Sequence, residues 1–240
     1  ATLGHYTRAQ NWATMPSTNI VGILNNVSFA SLSKIQDDIE RLRSVYRKMI
    51  KTSAFIVFPL MFGLSAVSLP LIFFTIGTKW ELCAQILQII CFMFVFMPIQ
   101  SLNINLIQAM GRSDLSLKIS VVGKVLSLLV LFGSLPFGII PMCWFSVISS
   151  VVILLINFYY VGKLLELSIL SQLKDLFPSA CLSAIMYIAV FFTISLFTTD
   201  WIQLLAGIFV GMALYTGLAY VFKMKSLYDT IGVIKNMVHK

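Results

Sequence analysis

KIQDDIERLRSVYRKMIK, residues 34–51, holds six of the seventeen basic residues of this 240-residue chain. Apolar sequence precedes it and a much longer apolar series follows. Arg or Lys at the centre of a bilayer costs roughly 2.5–3.5 kcal/mol even on the mildest scale, so the stretch reads as a water-facing loop. Its excess of base places that loop on the cytoplasmic side, and every later crossing is counted from it.

Outward from this loop the composition is that of a membrane protein. The chain is 59% hydrophobic and 11% charged, with mean hydropathy +0.93. Soluble domains carry about 25% charged residues, and this sequence has too little polar material to coat a soluble surface. The net charge of +8 is gathered in the joints between apolar runs, where topology accounts for it without nucleic acid. Cys83, Cys91, Cys143 and Cys181 are dispersed in apolar surroundings without metal-ligand spacing and read as reduced packing residues. The opening residues ATLGHYTRAQ have neither a basic head nor an apolar signal core, so the chain is expected to be the later part of a longer protein.

Seven apolar segments are expected as helices, at 12–33, 52–76, 82–110, 119–135, 139–161, 177–196 and 201–222. With residues 34–51 inside, fourteen of the seventeen basic residues fall on the inner side. Arg8 and Lys79 lie outside, and Lys124 sits a little over one turn inside the fourth helix. Charge asymmetry therefore supports the count and puts the tail 223–240 in the cytoplasm, free or lying on the membrane surface. This is an all-α integral membrane protein. Residues 1–135 form four helices with the charged loop, 136–222 the further helices and 223–240 the basic tail.

Chemistry is sparse. No HExxH, P-loop, CxxC or serine–histidine–carboxylate set occurs, and the only histidines are His5 and His239. The nine acids all map to joints or termini, which leaves no carboxylate placed to couple an ion. No metal site, cofactor or enzymatic step is expected. On the first helix Asn19, Gly22 and Asn26 fall within a ~60° stripe, and on the third Ser101, Asn105 and Gln108 share a similar face. Such faces serve either as interhelical hydrogen-bond glue or as contacts for a neutral, hydroxyl-rich solute. Lys124 either snorkels to the interface or meets a phosphate.

The joints carry a resemblance. LGHYTRA (3–9), FASLSKIQDD (29–38), FPL (58–60), GTKW (77–80) and AMGRSDL (109–115) are similar to elements of bacterial polysaccharide flippases. These are O-antigen, colanic-acid and teichuronic-acid type translocases of the multidrug/oligosaccharidyl-lipid/polysaccharide exporter superfamily. The proline common in the second element is absent here, where Ser28, Phe29 and Ala30 stand. The resemblance implies the C-terminal lobe of a two-lobe flippase fold that carries an undecaprenyl-pyrophosphate-linked oligosaccharide across the bacterial inner membrane. It implies as partners the missing N-terminal lobe, anionic lipids near the basic loop and polysaccharide polymerase machinery. Arg8 and Lys124 become candidates for phosphate contact, and Asn19, Asn26, Ser101, Asn105 and Gln108 for the substrate cavity. A multidrug or other small-molecule exporter of the same superfamily and a nontransporting scaffold are the rival readings.

Single cysteines introduced at Asp37 and Thr199 of a cysteine-free protein should label from opposite sides of the membrane. Labelling of both from one side would break the helix count.

Overall fold

A computed structural model describes residues 2–224 and 226–227, without the side chains of 23–27 and 30. The described residues form helices α1 (Thr2–Ser33), α2 (Ile39–Ala66), α3 (Ser68–Ile76), α4 (Glu81–Phe94) and α5 (Met97–Ala109). These are followed by α6 (Ser113–Ser134), α7 (Ile139–Leu165), α8 (Ile169–Ser195) and α9 (Asp200–Val221). Single 3-10 turns at Thr78–Trp80 and Leu135–Phe137 lead into α4 and α7. Six spans, beginning at 39, 78, 113, 139, 169 and 200, are long and apolar enough to cross a membrane. The 32 residues of α1 are more polar but reach ~48 Å, enough for a seventh rod. The expectation of about seven membrane helices is met.

The charged stretch is mostly not a loop. Only Lys34–Asp38 connects α1 to α2. Asp38 caps α2 by accepting from the Arg41 amide at 3.0 Å, and Glu40 favours the positive end of the helix dipole. Leu42, Tyr46 and Ile50 recur on one buried stripe, so tertiary packing holds the segment helical, with Arg41 and Lys48 exposed and Arg43, Arg47 and Lys51 half-buried at its flanks. The other joints shrink for the same reason. α8 begins at Ile169 rather than near Phe177, which places Asp175 inside a helix and corrects the expectation that every acid lies in a joint. α6 begins at Ser113, so Lys124 stands about three turns, ~16 Å, from the helix start instead of just over one. The tail 223–240 lies almost wholly outside the described residues.

Two expected single helices are broken. The second parts at Val67, three residues before Pro70, and the third at Val95–Phe96, just before Pro98. Proline cannot donate to the carbonyl four residues back, and a bare carbonyl in hydrocarbon is costly. The fold satisfies two such carbonyls from other helices. Pro98 frees the Phe94 carbonyl, which accepts from Ser17 Oγ of α1 at 3.2 Å. Pro59 frees the Phe55 carbonyl, which accepts from the Tyr215 hydroxyl of α9 at 2.9 Å.

Around these joints α1 lies along α4 and α5, α2 along α8, α4 against α7, and α8 beside α9. A main apolar core fills the space among α1, α2, α4, α5 and α7, while a smaller one joins α2, α8 and α9. The α9 face in that smaller core is Gly207, Gly211, Tyr215 and Ala219, at four-residue spacing. A Cβ on Gly207 would stand 2.9 Å from Val67 Cγ1 and 3.3 Å from Val190 Cγ1, so only glycine permits this approach.

Tyr215→Phe strands the buried Phe55 carbonyl and should destabilise the protein by about 1–3 kcal/mol in detergent unfolding. In a Pro59→Ala background the amide of residue 59 can serve that carbonyl, and the loss should shrink. Equal losses in both backgrounds would refute the pairing.

Candidate functional site

Three polar regions emerge when the sequence candidates are placed on the fold. The first is a cavity of about 760 Å³ between α5, α6 and α7. Lys124 and Ser101 both line it, together with Gln100, Ser120, Ser127 and Asn157. No carboxylate is in this lining, so the cavity is weakly basic and otherwise neutral. Gln100 is oriented by donating to the Ser150 carbonyl at 3.1 Å. Asn157 is 1% exposed and donates to the Ile153 carbonyl at 2.8 Å, but its Oδ1 has no partner. A buried amide oxygen left open on a cavity wall is set to accept from a hydroxyl or an ammonium group.

The other candidates are dispersed. Asn105 donates to Ser28 Oγ at 2.9 Å, joining α5 to α1, and Gln108 donates to Ser116 Oγ at 3.2 Å, joining α5 to α6. These two amides hold helices together. Asn19 is exposed on an apolar groove of about 670 Å³ bounded by α1, α2, α3, α8 and α9, with Trp12, Pro59 and Gly211 among its walls. The side chain of Asn26 lies outside the described residues. Arg8 is distant in the chain from the Lys124 cavity and lies over the Trp80 ring, its guanidinium carbon 4.7 Å from the centroid. The His5 ring sits 4.7 Å from the same indole. This cation–π contact desolvates part of the guanidinium and favours its lying over the indole.

The third region, after the Lys124 cavity and the Arg8–Trp80–His5 cluster, is one that sequence reading missed. Arg47 forms a two-pronged pair with Asp175, Nε to Oδ2 at 2.6 Å and a terminal nitrogen to Oδ1 at 2.7 Å. Lys51 adds a third contact at 3.1 Å. One helical turn away Arg43 donates to the Leu165 carbonyl at 2.7 Å and meets Glu166 at 3.2 Å. Between them the buried Tyr46 hydroxyl lies 2.6 Å from Asn103 Oδ1 and 3.0 Å from Gln172 Oε1. Gln172 in turn donates to the Phe158 carbonyl at 2.9 Å. One hydroxyl proton serves only one of the two oxygens, and Asn103 Nδ2 is otherwise unpartnered. Turning the Asn103 amide lets it donate to Tyr46, and the proton chain then runs Asn103 to Tyr46 to Gln172 to Phe158. This network ties α2, α5, α7 and α8 at the end of the bundle that carries the 34–38 turn. Asp175 is therefore committed to two bases, which leaves it no free role as a cation site.

The comparisons agree with the resemblance carried by the joints. Residues 1–85 match the sequence model of a family described as "Polysaccharide biosynthesis protein". The chain is 34% identical to the lipopolysaccharide biosynthesis protein WzxC of Escherichia coli K12 over 121 residues, 49% of this chain and 24% of that protein. It is 26% identical to the teichuronic acid biosynthesis protein TuaB of Bacillus subtilis 168 over 228 residues, 94% of this chain and 47% of TuaB. Among solved structures, the lipid II flippase MurJ in an inward closed conformation superposes with TM-score 0.72 at 20% identity, over 92% of this chain and 48% of MurJ. The fold is thus that of about half of MurJ, and the matched stretches span less than half the length of each relative.

Asp175→Asn should lower the detergent melting temperature well beyond Asp114→Asn. The Asp175 side chain is 6% exposed between two bases, whereas Arg112 and Asp114 form an exposed pair whose contribution is about 0–1 kcal/mol. Equal shifts would remove the α2–α8 tie from the account.

Proposed function

We propose that this chain is the C-terminal half of a bacterial inner-membrane flippase that moves an undecaprenyl-pyrophosphate-linked oligosaccharide repeat unit for surface or exopolysaccharide synthesis. The observation that carries the reading is the Lys124 cavity, one cation among amides and hydroxyls in a fold like that of MurJ. Its lining suits a sugar phosphate. The amides and hydroxyls exchange hydrogen bonds with sugar hydroxyls, and the ammonium group offsets phosphate charge. Similarity to WzxC and TuaB supports a polysaccharide cargo.

No bond need be made or broken. The work is to carry a polar head past hydrocarbon while the lipid tail stays in the bilayer. A basic, neutral-walled cavity lowers the cost of that passage by replacing part of the water around the head group with fixed donors. Alternating access would rock this lobe against the other half, as a body whose α2–α8 contact is pinned by Asp175. The bases of residues 34–51 would lie at the cytoplasmic surface and attract anionic lipid by about 1 kcal/mol per base, with the C-terminus on the same side. The multidrug-exporter alternative needs a carboxylate free to couple an ion; among the described residues the buried acid, Asp175, is held by Arg47 and Lys51, and the sequence of the other half separates the two readings.

In the full-length protein Lys124→Met should reduce translocation of lipid-linked repeat units about tenfold, the loss expected from removing one charge-assisted contact of ~1.5 kcal/mol. Lys124→Arg should retain most of it. Lipid-linked units accumulating on the cytoplasmic leaflet, at unchanged protein abundance, is the readout. Normal export by Lys124→Met would remove the lysine from the transport path.

A further inference from the structure

α6 is the least covered rod in the bundle. Of its apolar span 11% is buried, against 61% for the span 78–109 formed by α4 and α5. Lipid accounts for the side that carries Phe132, which is 66% exposed. It does not account for the side where Ser120, Gly123 and Ser127 recur at helical spacing toward α5 and α7.

Next to the Lys124 cavity lies a second hollow of about 380 Å³, lined by Tyr6 of α1, Leu131 of α6 and Ser146 and Ser149 of α7. The two hollows share Met97, Gln100, Ser127 and Ile153 and so form one groove. Along α6 it runs from Ile119 to Leu131, a length of ~18 Å and more than half the hydrocarbon thickness.

The chemistry of the groove discriminates among occupants. A lipid chain there would lie against Lys124 and the open Oδ1 of Asn157, neither of which hydrocarbon can satisfy. Water is not demanded by the serines, because Ser120, Ser127 and Ser146 each donate to a carbonyl of their own helix at 2.9 Å. Small, internally bonded side chains on facing walls are what lets a helix backbone approach closely in a membrane. The chain also accounts for 48% of the MurJ fold it resembles, so that fold has further rods to place.

We propose that this groove seats a membrane-spanning helix supplied by the part of the same protein outside these 240 residues. The helix packs a small-residue face against Ser120, Gly123 and Ser127 and brings a polar group to the level of Asn157. Seated there, it becomes the missing wall of the Lys124 cavity and turns an open cleft into a chamber. The inference rests on reading the chain as half of a two-lobe flippase, and it assigns which surface of this half receives the first contact from the rest.

The test uses the full-length protein with a protease site between its halves and a compact diazirine amino acid at Ser127 or, as comparator, Phe132. Irradiation followed by cleavage should leave the two halves joined for Ser127 and separate for Phe132. Adducts at Ser127 with lipid or a second copy, or no joined product from a folded protein, would overturn the proposal. Translocation is measured on the same variants. Normal transport without the joined product counts against the seat alone; because Ser127 lines the Lys124 cavity, the functional reading is judged on the Phe132 variant, whose failure to translocate repeat units while folded counts against that reading alone.

Discussion

A backbone carbonyl in hydrocarbon must find a donor, and proline removes the one it would ordinarily have. That constraint organises this bundle. Pro59 and Pro98 strip the Phe55 and Phe94 carbonyls of their amide partners, and the replacements come from Tyr215 and Ser17 on other helices. Each local defect thereby becomes a tertiary tie: α9 is fixed to α2, and α1 to the break between α4 and α5. The Met93 carbonyl beside that break also accepts from Ser150 Oγ of α7 at 3.1 Å. Three rods thus converge on one interruption, and the walls of the Lys124 cavity begin within a turn of it.

Polar side chains divide by the same logic. Those with complete partners act as structure, as with Asn105 on Ser28, Gln108 on Ser116 and Gln172 between Tyr46 and Phe158. Asp175 belongs with them, since three contacts from two bases offset the cost of burying its charge. What is left for a solute is small: Lys124 and the open oxygen of Asn157, gathered where α6 stands away from α5. A site of this kind is defined less by the number of polar residues than by which of them the packing leaves uncommitted.

The apolar surface divides too. The α9 stripe of Gly207, Gly211, Tyr215 and Ala219 packs against α2, α3 and α8 and borders the apolar groove, whereas on the α6 stripe Gly123 touches Ile153 of α7 while Ser120 and Ser127 stand exposed beside the Lys124 cavity. Two helices of similar length and hydropathy thus differ in cover, one packing a small-residue stripe within the bundle and one leaving most of its surface uncovered.

The sequence alone determined the number of rods, their apolar character and the clustering of base in their connections. These follow from local composition, because hydrocarbon excludes charge wherever it occurs in the chain. It also carried the joint motifs that proved similar to WzxC and TuaB. It misread residues 39–51 as loop, because charge was visible and the buried partners of Leu42, Tyr46 and Ile50 were not. The four-residue spacing of those three was the available signal, as was the Gly207–Gly211 spacing for the α8–α9 contact. Which amides are glue, and which carboxylate meets Arg47, only the tertiary structure decided. Periodicity says which residues share a face of one helix, but the partner of that face comes from a segment far away in the chain, as Asp175 does for Arg47 and Ile153 does for Gly123.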